Sequence, residues 1–255
     1  MTLLQTINEK LADFHPISLE EMGTVKLMNR VDTKFVTHCN KLLPLLELLQ
    51  KNYRVQEING TRISIYRTLY FDTEKNAMYL AHQNGKSTRE KIRMREYVGS
   101  DLVFLEIKDK NNRGRTKKIR TRLAGWNEYE NEEAEDFLQK KSWYILKDIM
   151  PSVQNRFERI TLVNKEKTER LTIDLNLGFE NHQNGGTYDL KNVIIIELKQ
   201  DGFCFSYARE CLRDLRIHPM GFSKYCIGSA LTNPDLKQNN LKDRIRTIRK
   251  METAS

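Results

Sequence analysis

The sequence predicts an α+β fold in which a large antiparallel sheet or barrel carries helices at its periphery. Three observations predict it. Several runs alternate charged and apolar side chains, the period of a strand with one face buried. Short turns at Gly99-Ser100 and Asn111-Asn112 join three such runs into a meander of hairpins. Around them lie amphipathic stretches with helical spacing. The strands are longer than usual, and closing them into a barrel would remove their exposed edges.

Taken in order, residues 1–24 read as a helical lead-in, and "RVDTKFVTH" (30–38) as the first strand. Asn40 is placed to cap the helix "KLLPLLELLQK", whose Pro44 falls in the first turn, where a missing N–H is tolerated. "RISIYRTLYFDT" (62–73) is a long strand with Ile63, Ile65, Leu69 and Phe71 on one face, interrupted by Arg67. Extended segments follow at 86–98, 101–109 and 113–122. Residues 130–149 read as a helix with Ala134, Phe137, Leu138, Ile145, Leu146 and Ile149 as its buried stripe. Strands resume at 152–163, 168–179 and 193–200. "FCFSYARECLRDL" is an amphipathic helix presenting Phe205, Ala208, Leu212 and Leu215, and "SKYCIGSAL" a shorter one. The tail "LKQNNLKDRIRTIRKMETAS" is basic and reads as a helix or as partly disordered chain. No repeat or Pro/Gly-rich linker splits the chain. The expected organisation is a lead-in (1–24), a central domain (25–231) and a basic C-terminal tail (232–255).

Against 34 acidic residues stand 43 basic ones, a formal net charge of +9. Such an excess favours polyanionic partners: nucleic acid, anionic membrane or phosphate-rich molecules. The aromatic residues do not form the pattern of a base-stacking platform, so no specific nucleic acid is expected. Cys39, Cys204, Cys211 and Cys226 contain no C-x-x-C pair and read as free, mostly buried thiols rather than zinc ligands or a disulfide framework. The five histidines form no ligand set. The N-terminus does not read as a signal peptide, and no apolar run approaches the length of a membrane span. The expectation is a soluble, cytoplasmic protein.

Strand parity raises the functional question. In "KIRMREY", Lys91, Arg93 and Arg95 oppose Ile92 and Met94. In "LVFLEIKDK", Glu106, Lys108 and Lys110 oppose Leu105 and Ile107; in "NVIIIELKQ", Glu197 and Lys199 oppose Ile194, Ile196 and Leu198. In "ERLTIDLNL", Arg170, Thr172, Asp174 and Asn176 oppose Leu171, Ile173, Leu175 and Leu177. Arg156 and Arg159 fall on opposite faces unless a bulge intervenes. A solvated polar face is the ordinary reading of each strand. Yet like charges on neighbouring strands repel, and such clusters persist most easily when an anion fills the space between them. Arg forks and Lys point charges suit a chain of phosphates. Glu106 and Glu197 are then candidates to hold Mg²⁺ or Mn²⁺, which binds one or two carboxylates plus substrate oxygens. Singly, Asp72 reads as a turn or helix cap, and Asp174 as a partner for a neighbouring arginine or a metal.

With these residues assembled, the chain resembles the VTC-type polyphosphate polymerase domains, a branch of the triphosphate tunnel metalloenzyme (CYTH-like) superfamily. The resemblance runs from about Asn29 to Leu231, through "RVDTKFV", "LYFDT", "KIRMREY", "FLEIKDK", "KKIRTRL", "RFERIT", "RLTIDLNL", "IIIELK" and "FSKYCIG". It implies an eight-stranded antiparallel β-barrel, a tunnel with basic walls, in which the γ-phosphate of ATP extends a polyphosphate chain with Mn²⁺ or Mg²⁺ present. It implies catalytic positions at Lys224, Ser223, Arg93 and Arg95, and phosphate binding by Lys34, Lys91, Lys108, Arg156, Arg159, Arg170 and Lys199. Glu197 would hold the metal, with Glu106 a second acidic position. The partners implied are ATP and inorganic polyphosphate; eukaryotic relatives couple synthesis to translocation, so a membrane-protein partner stays open. One departure stands out: hydrolase branches open with E-x-E-x-K, where this chain has "RVDTK", with Arg30 and Asp32 in the glutamate positions. The alternatives are a tripolyphosphatase or nucleoside triphosphatase on the same tunnel, and a non-catalytic polyphosphate- or nucleic-acid-binding protein.

Overall fold

The computed structural model describes residues 2–23, 30–202 and 204–254. Helix α1 (Leu3–Ala12) starts at Thr2, whose hydroxyl and the Gln5 side chain form a reciprocal capping box. Strand β1 (His15–Ile17) and helix α2 (Leu19–Gly23) complete this N-terminal part, so the lead-in contains a short strand as well as helices. There follow β2 (Arg30–His38), α3 (Leu42–Leu49), β3 (Tyr53–Gln56), β4 (Ile63–Asp72) and α4 (Ala77–Gln83). The meander is β5 (Arg89–Tyr97), β6 (Leu102–Lys110) and β7 (Thr116–Leu123). Beyond α5 (Glu132–Lys141) come β8 (Met150–Asn164), β9 (Glu169–Asn181), β10 (Thr187–Leu190) and β11 (Val193–Asp201). The chain ends with α6 (Tyr207–Asp214), α7 (Lys224–Thr232) and α8 (Lys242–Thr253). The expected boundary at residues 24–25 and the first residue of "FCFSYARECLRDL", Phe203, lie outside the described residues.

The main strand path runs β2-β11-β9-β8-β4-β5-β6-β7, every neighbouring pair antiparallel. Eight strands therefore form as expected, but β2 and β7 are not hydrogen-bonded to each other, so the barrel is not closed. A physical reason is visible at β2: Pro219 bridges to Phe35, and the Met220 N–H donates to the Lys34 carbonyl at 2.9 Å. That coil segment occupies backbone groups on the edge β7 would need. The sheet is nevertheless strongly curled. Adjacent residues Ser223 and Lys224 reach Lys91 on β5 and Asp174 on β9. Those strands are three spacings apart, about 14 Å in a flat sheet.

Apolar residues of the convex side bury against the helices. Leu171, Ile173, Ile194, Ile196 and Leu198 pack with α1, α3 and α6 through Ile7, Leu11, Leu45, Leu49 and Leu212. On the other half, Leu69, Phe71, Ile92, Met94, Leu105 and Ile107 share a core with Ala134 and Leu138 of α5.

Local readings differ from expectation where one side chain overrides a pattern. Asn40 does not cap α3; it lies in a 3-10 turn, Cys39–Lys41, begun by His38, whose Nδ1 accepts the Asn40 N–H at 3.1 Å. The helix expected over 130–149 stops at Lys141, because Glu90 accepts the Ser142 hydroxyl at 2.7 Å and the Trp143 N–H at 3.0 Å. Phe205 precedes α6, which Ser206 caps, and is 81% exposed rather than part of the apolar face. Cys211 and Cys226 are buried; Cys204 is exposed. The tail forms α8, with Ile245 and Ile248 buried. Among the described residues no helix is long and apolar enough to cross a membrane.

Candidate functional site

The concave face is built from alternate residues of the curled strands. Tyr70, Arg93, Glu106 and Arg120 stand side by side on β4, β5, β6 and β7; one step along, Thr68, Arg95, Phe104 and Arg122 do the same. On the other wall, Lys34, Glu197 and Thr172 align across β2, β11 and β9, with Asp32, Lys199 and Arg170 one step further. The sheet brings the two walls together. Glu197 acts electrostatically on Lys108, although β11 and β6 are five spacings apart, about 24 Å if flat.

Each carboxylate on this face is held by cations. Arg93 puts Nε and Nη2 on Glu106 Oε2 at 2.8 and 2.6 Å, and Lys118 binds the other oxygen at 2.9 Å. Arg159 forks onto Asp174 at 2.6 and 2.8 Å, and Lys224 bonds the same carboxylate. Glu197 takes Lys34 on one oxygen and Lys199 on the other at 2.5 Å. Asp32 pairs with Arg30 at 2.8 Å and Lys199 at 3.4 Å. Burial alone would raise the carboxyl pKa of Asp174, but Arg159 and Lys224 overcome it and hold it at about 2. For the same reason, against burial, Arg93 and Arg95 keep Glu106 well below the usual range, and Lys34 and Lys199 do so for Glu197.

The cations remain in excess, and their charge is strained. Burial lowers Lys224 to about 8, only partly offset by Asp174. Burial and then Arg93 lower Arg95 to about 10. Lys108 falls well below its ordinary value through Arg93 and burial, while burial lowers Lys91, Lys199 and Arg170. Aromatic rings beneath them relieve part of the cost. Tyr66 and Phe157 stack at 5.2 Å; Arg95 and Arg159 lie 5.7 and 5.0 Å from the Tyr66 ring, and Lys224 4.2 Å from that of Phe157. Several donors stay unfilled: Arg170 Nε, the Thr172 hydroxyl and the Asn155 amide are buried without a partner among the described residues. Unpaired donors among crowded cations are what an anion's oxygens satisfy.

Helix α7 seals one side of this space. Ser223 caps it, its hydroxyl accepting the Cys226 N–H at 3.2 Å and the Lys91 ammonium at 3.0 Å. The next residue, Lys224, therefore points to Asp174. Two contacts fix the helix. Tyr225 donates its hydroxyl to Asp72, which also accepts N–H groups at the start of α4 from Met78 at 2.8 Å and Tyr79 at 2.9 Å. Gly228 passes so close to Phe179 that a Cβ there would lie 2.3 Å from the ring.

Of the sequence-predicted residues, the structure brings together Lys34, Lys91, Arg93, Arg95, Lys108, Arg159, Arg170, Lys199, Ser223, Lys224, Glu106 and Glu197 on the concave face or at α7. Arg156 is not among them. It is exposed on the opposite face beside Arg67, which pairs with Glu96 at 2.7 Å and lies over Trp126. The register irregularity falls instead on β9, at Asn176 with φ of 51°, and it turns Leu177 away from the side that Leu175 faces. Lys118, Arg120 and Arg122 on β7 were not singled out, although "KKIRTRL" carries their alternation; nor were Tyr66 and Phe157, which share parity with the cations.

The two acidic positions differ as metal sites. Among the described residues no three His, Cys, Asp or Glu side chains cluster to hold an ion. Glu106 is wholly buried with both oxygens engaged by cations, which does not fit a metal ligand. Glu197 likewise has both oxygens on cations, Lys34 and Lys199, and differs in being partly open to the concave face, with Asp32 one step along the wall. A divalent ion at this pair would have to displace Lys34 or Lys199 and draw its remaining ligands from phosphate oxygens.

Residues 29–233 match the VTC domain family. The chain belongs to the VTC domain family. No curated protein matches it. Among solved structures, HpAC1 from Hippeastrum, described as a candidate adenylyl cyclase with a dominant triphosphatase activity, is 14% identical, with a TM-score of 0.50 over 82% of this chain and 97% of that one. The PH1819 protein of Pyrococcus horikoshii OT3 aligns over 76% of this chain and 96% of its own, at 12% identity and a TM-score of 0.43. The likeness to HpAC1 shows a shared fold, the curled antiparallel sheet described above.

Proposed function

We propose that this VTC domain is a polyphosphate polymerase that transfers the γ-phosphate of ATP to the end of a polyphosphate chain on its concave face. The observation that carries the reading is the state of the carboxylates. Each is paired with cations, and Asp174, Glu106 and Glu197 are all held well below the usual range. Carboxylates so acidic are poor bases for activating water. A terminal phosphate needs no base, because it is already an anion.

In this reading Arg93, Arg95, Arg159 and Lys224 draw two polyanions into one space and neutralise charge on the equatorial oxygens of the transferring group, where phosphoryl transfer concentrates it. A terminal oxygen of the chain forms the new P–O bond as the γ-to-β bond breaks, leaving ADP. Ser223 and Lys91 fix the start of α7, so Lys224 meets the phosphate from a set direction. Glu197 with Asp32 would hold Mg²⁺ or Mn²⁺. That ion would supply charge neutralisation at phosphate oxygens.

A second reading is hydrolysis, favoured by the triphosphatase activity described for HpAC1. Incubation with ATP and Mn²⁺, followed by gel separation, distinguishes the two. A ladder of long chains supports polymerase; free phosphate alone supports triphosphatase; affinity for polyphosphate without turnover would leave a binding protein.

A further inference from the structure

The cationic wall does not stop at Lys91. Arg89 is the next inward-facing residue on β5, and it stands opposite Lys110 on β6. From a different part of the chain, α8 brings Arg244: a Cβ on Gly221 would lie 3.7 Å from its Nη2. Gly221 is two residues before Ser223, the partner of Lys91. The turn leading into α8 is tied to the end of α4 by Asn240, which donates to the Gln83 carbonyl at 2.7 Å. At the centre is His82 of α4. Burial first, and then Lys91, Arg89, Arg244 and Lys110 together, lower it to about 3. Its Nδ1 is buried without a partner among the described residues.

Like charges converge here without a counter-ion. Among the described residues Arg89, Lys91, Lys110 and Arg244 make no ion pair; Lys91 meets a hydroxyl and Arg89 the Lys86 carbonyl. The inner face differs in holding carboxylates paired with some of its cations; no carboxylate among the described residues pairs with any of these four. Uncompensated cations crowded into one place attract an anion. Arg89 is six residues from Arg95, about 20 Å along an extended strand.

We propose that Arg244, Arg89 and Lys110 form a second phosphate-chain subsite at the mouth of the tunnel, which grips polyphosphate extending beyond the inner cations. This rests on the reading of the concave face as a polyphosphate site, and it gives α8 a part in binding. A tripolyphosphate seated at Arg93 and Arg95 is too short to reach it; a long chain is not.

The test is isothermal titration of tripolyphosphate and of long-chain polyphosphate into the wild-type chain, Arg244→Ala and Arg246→Ala. Arg244 is exposed and outside any ion pair, so its loss leaves the fold intact. Arg246, which pairs with Asp243 at 3.4 Å on the same helix, is the control. Removing one charge-assisted hydrogen bond weakens binding by about tenfold or more. Arg244→Ala should lose that factor for the long chain and change less than about twofold for tripolyphosphate, while Arg246→Ala changes neither. Equal losses for both ligands, or none for the long chain, would overturn the subsite. If the wild-type chain binds neither ligand, the tunnel reading itself falls, and the subsite with it.

Discussion

Lys224 offers the sharpest test of the concave face, because its charge is conditional. Burial brings its pKa down to about 8 even with Asp174 beside it. A phosphate chain binds the charged form. Binding is therefore complete below the lowered pKa and is lost as pH rises through it. At about pH 9 only a tenth of the free protein carries the Lys224 charge, so affinity falls about tenfold per pH unit in this range from this group alone. Arginine keeps its charge there. Lys224→Arg should therefore reduce the slope of log Kd against pH by about one between about pH 8 and pH 10. Lys91, Lys108 and Lys199 are also lowered, so a residual slope remains in the variant. The assay is titration calorimetry with long-chain polyphosphate, whose internal phosphates do not titrate in this window. Buffers of different ionisation heat count the protons taken up, and the variant should take up about one fewer. Parallel slopes with equal proton uptake would refute the placement of Lys224 against the chain, whatever the change in absolute affinity.

Other perturbations address the frame. Asp174→Asn leaves buried Arg159 and Lys224 without their carboxylate and should cost about 3–5 kcal/mol in chemical denaturation. Tripolyphosphate should stabilise this variant more than the wild type. Gly228→Ala drives a methyl into the Phe179 ring and should cost about 1–3 kcal/mol, read as a lowered midpoint. Arg156→Ala, on the outer face, should leave polyphosphate affinity within about twofold of wild type by titration. Asp72→Ala removes the acceptor shared by α4 and Tyr225 and should destabilise by about 1–3 kcal/mol or more, seen as earlier melting.

Much of this was legible in strand parity. A period of two places Lys91, Arg93 and Arg95 together whatever the tertiary structure, and the meander turns set their register against Glu106 and Lys108. Parity fails where the backbone takes an extra residue. Asn176 adopts a left-handed conformation and reverses the faces after it, and no residue pattern in "LTIDLNLGF" announces that. Arg156 shows a related limit, since its place in a basic motif says less than its parity with Arg67. The curl is also beyond periodicity. Lys224 meets Asp174 only because α7 crosses the concave face, a contact 50 residues apart in sequence. The open seam depends on a coil segment at Pro219 that has no strand signal of its own. The early end of α5 rests on one buried glutamate, Glu90, from another strand.

The pairing of every inner carboxylate with cations has a thermodynamic consequence. The concave face carries its own internal counter-ions, so beyond the unpaired donors a guest anion reaches further cations only by exchange, taking Arg159 or Lys224 from Asp174, or Lys34 from Glu197. A single phosphate offers too few oxygens to recover what several such exchanges give up. A chain of linked phosphates recovers them together, each link holding the next at high local concentration. If the concave face binds polyphosphate as proposed, the acidic residues among the cations favour linked phosphates over small anions.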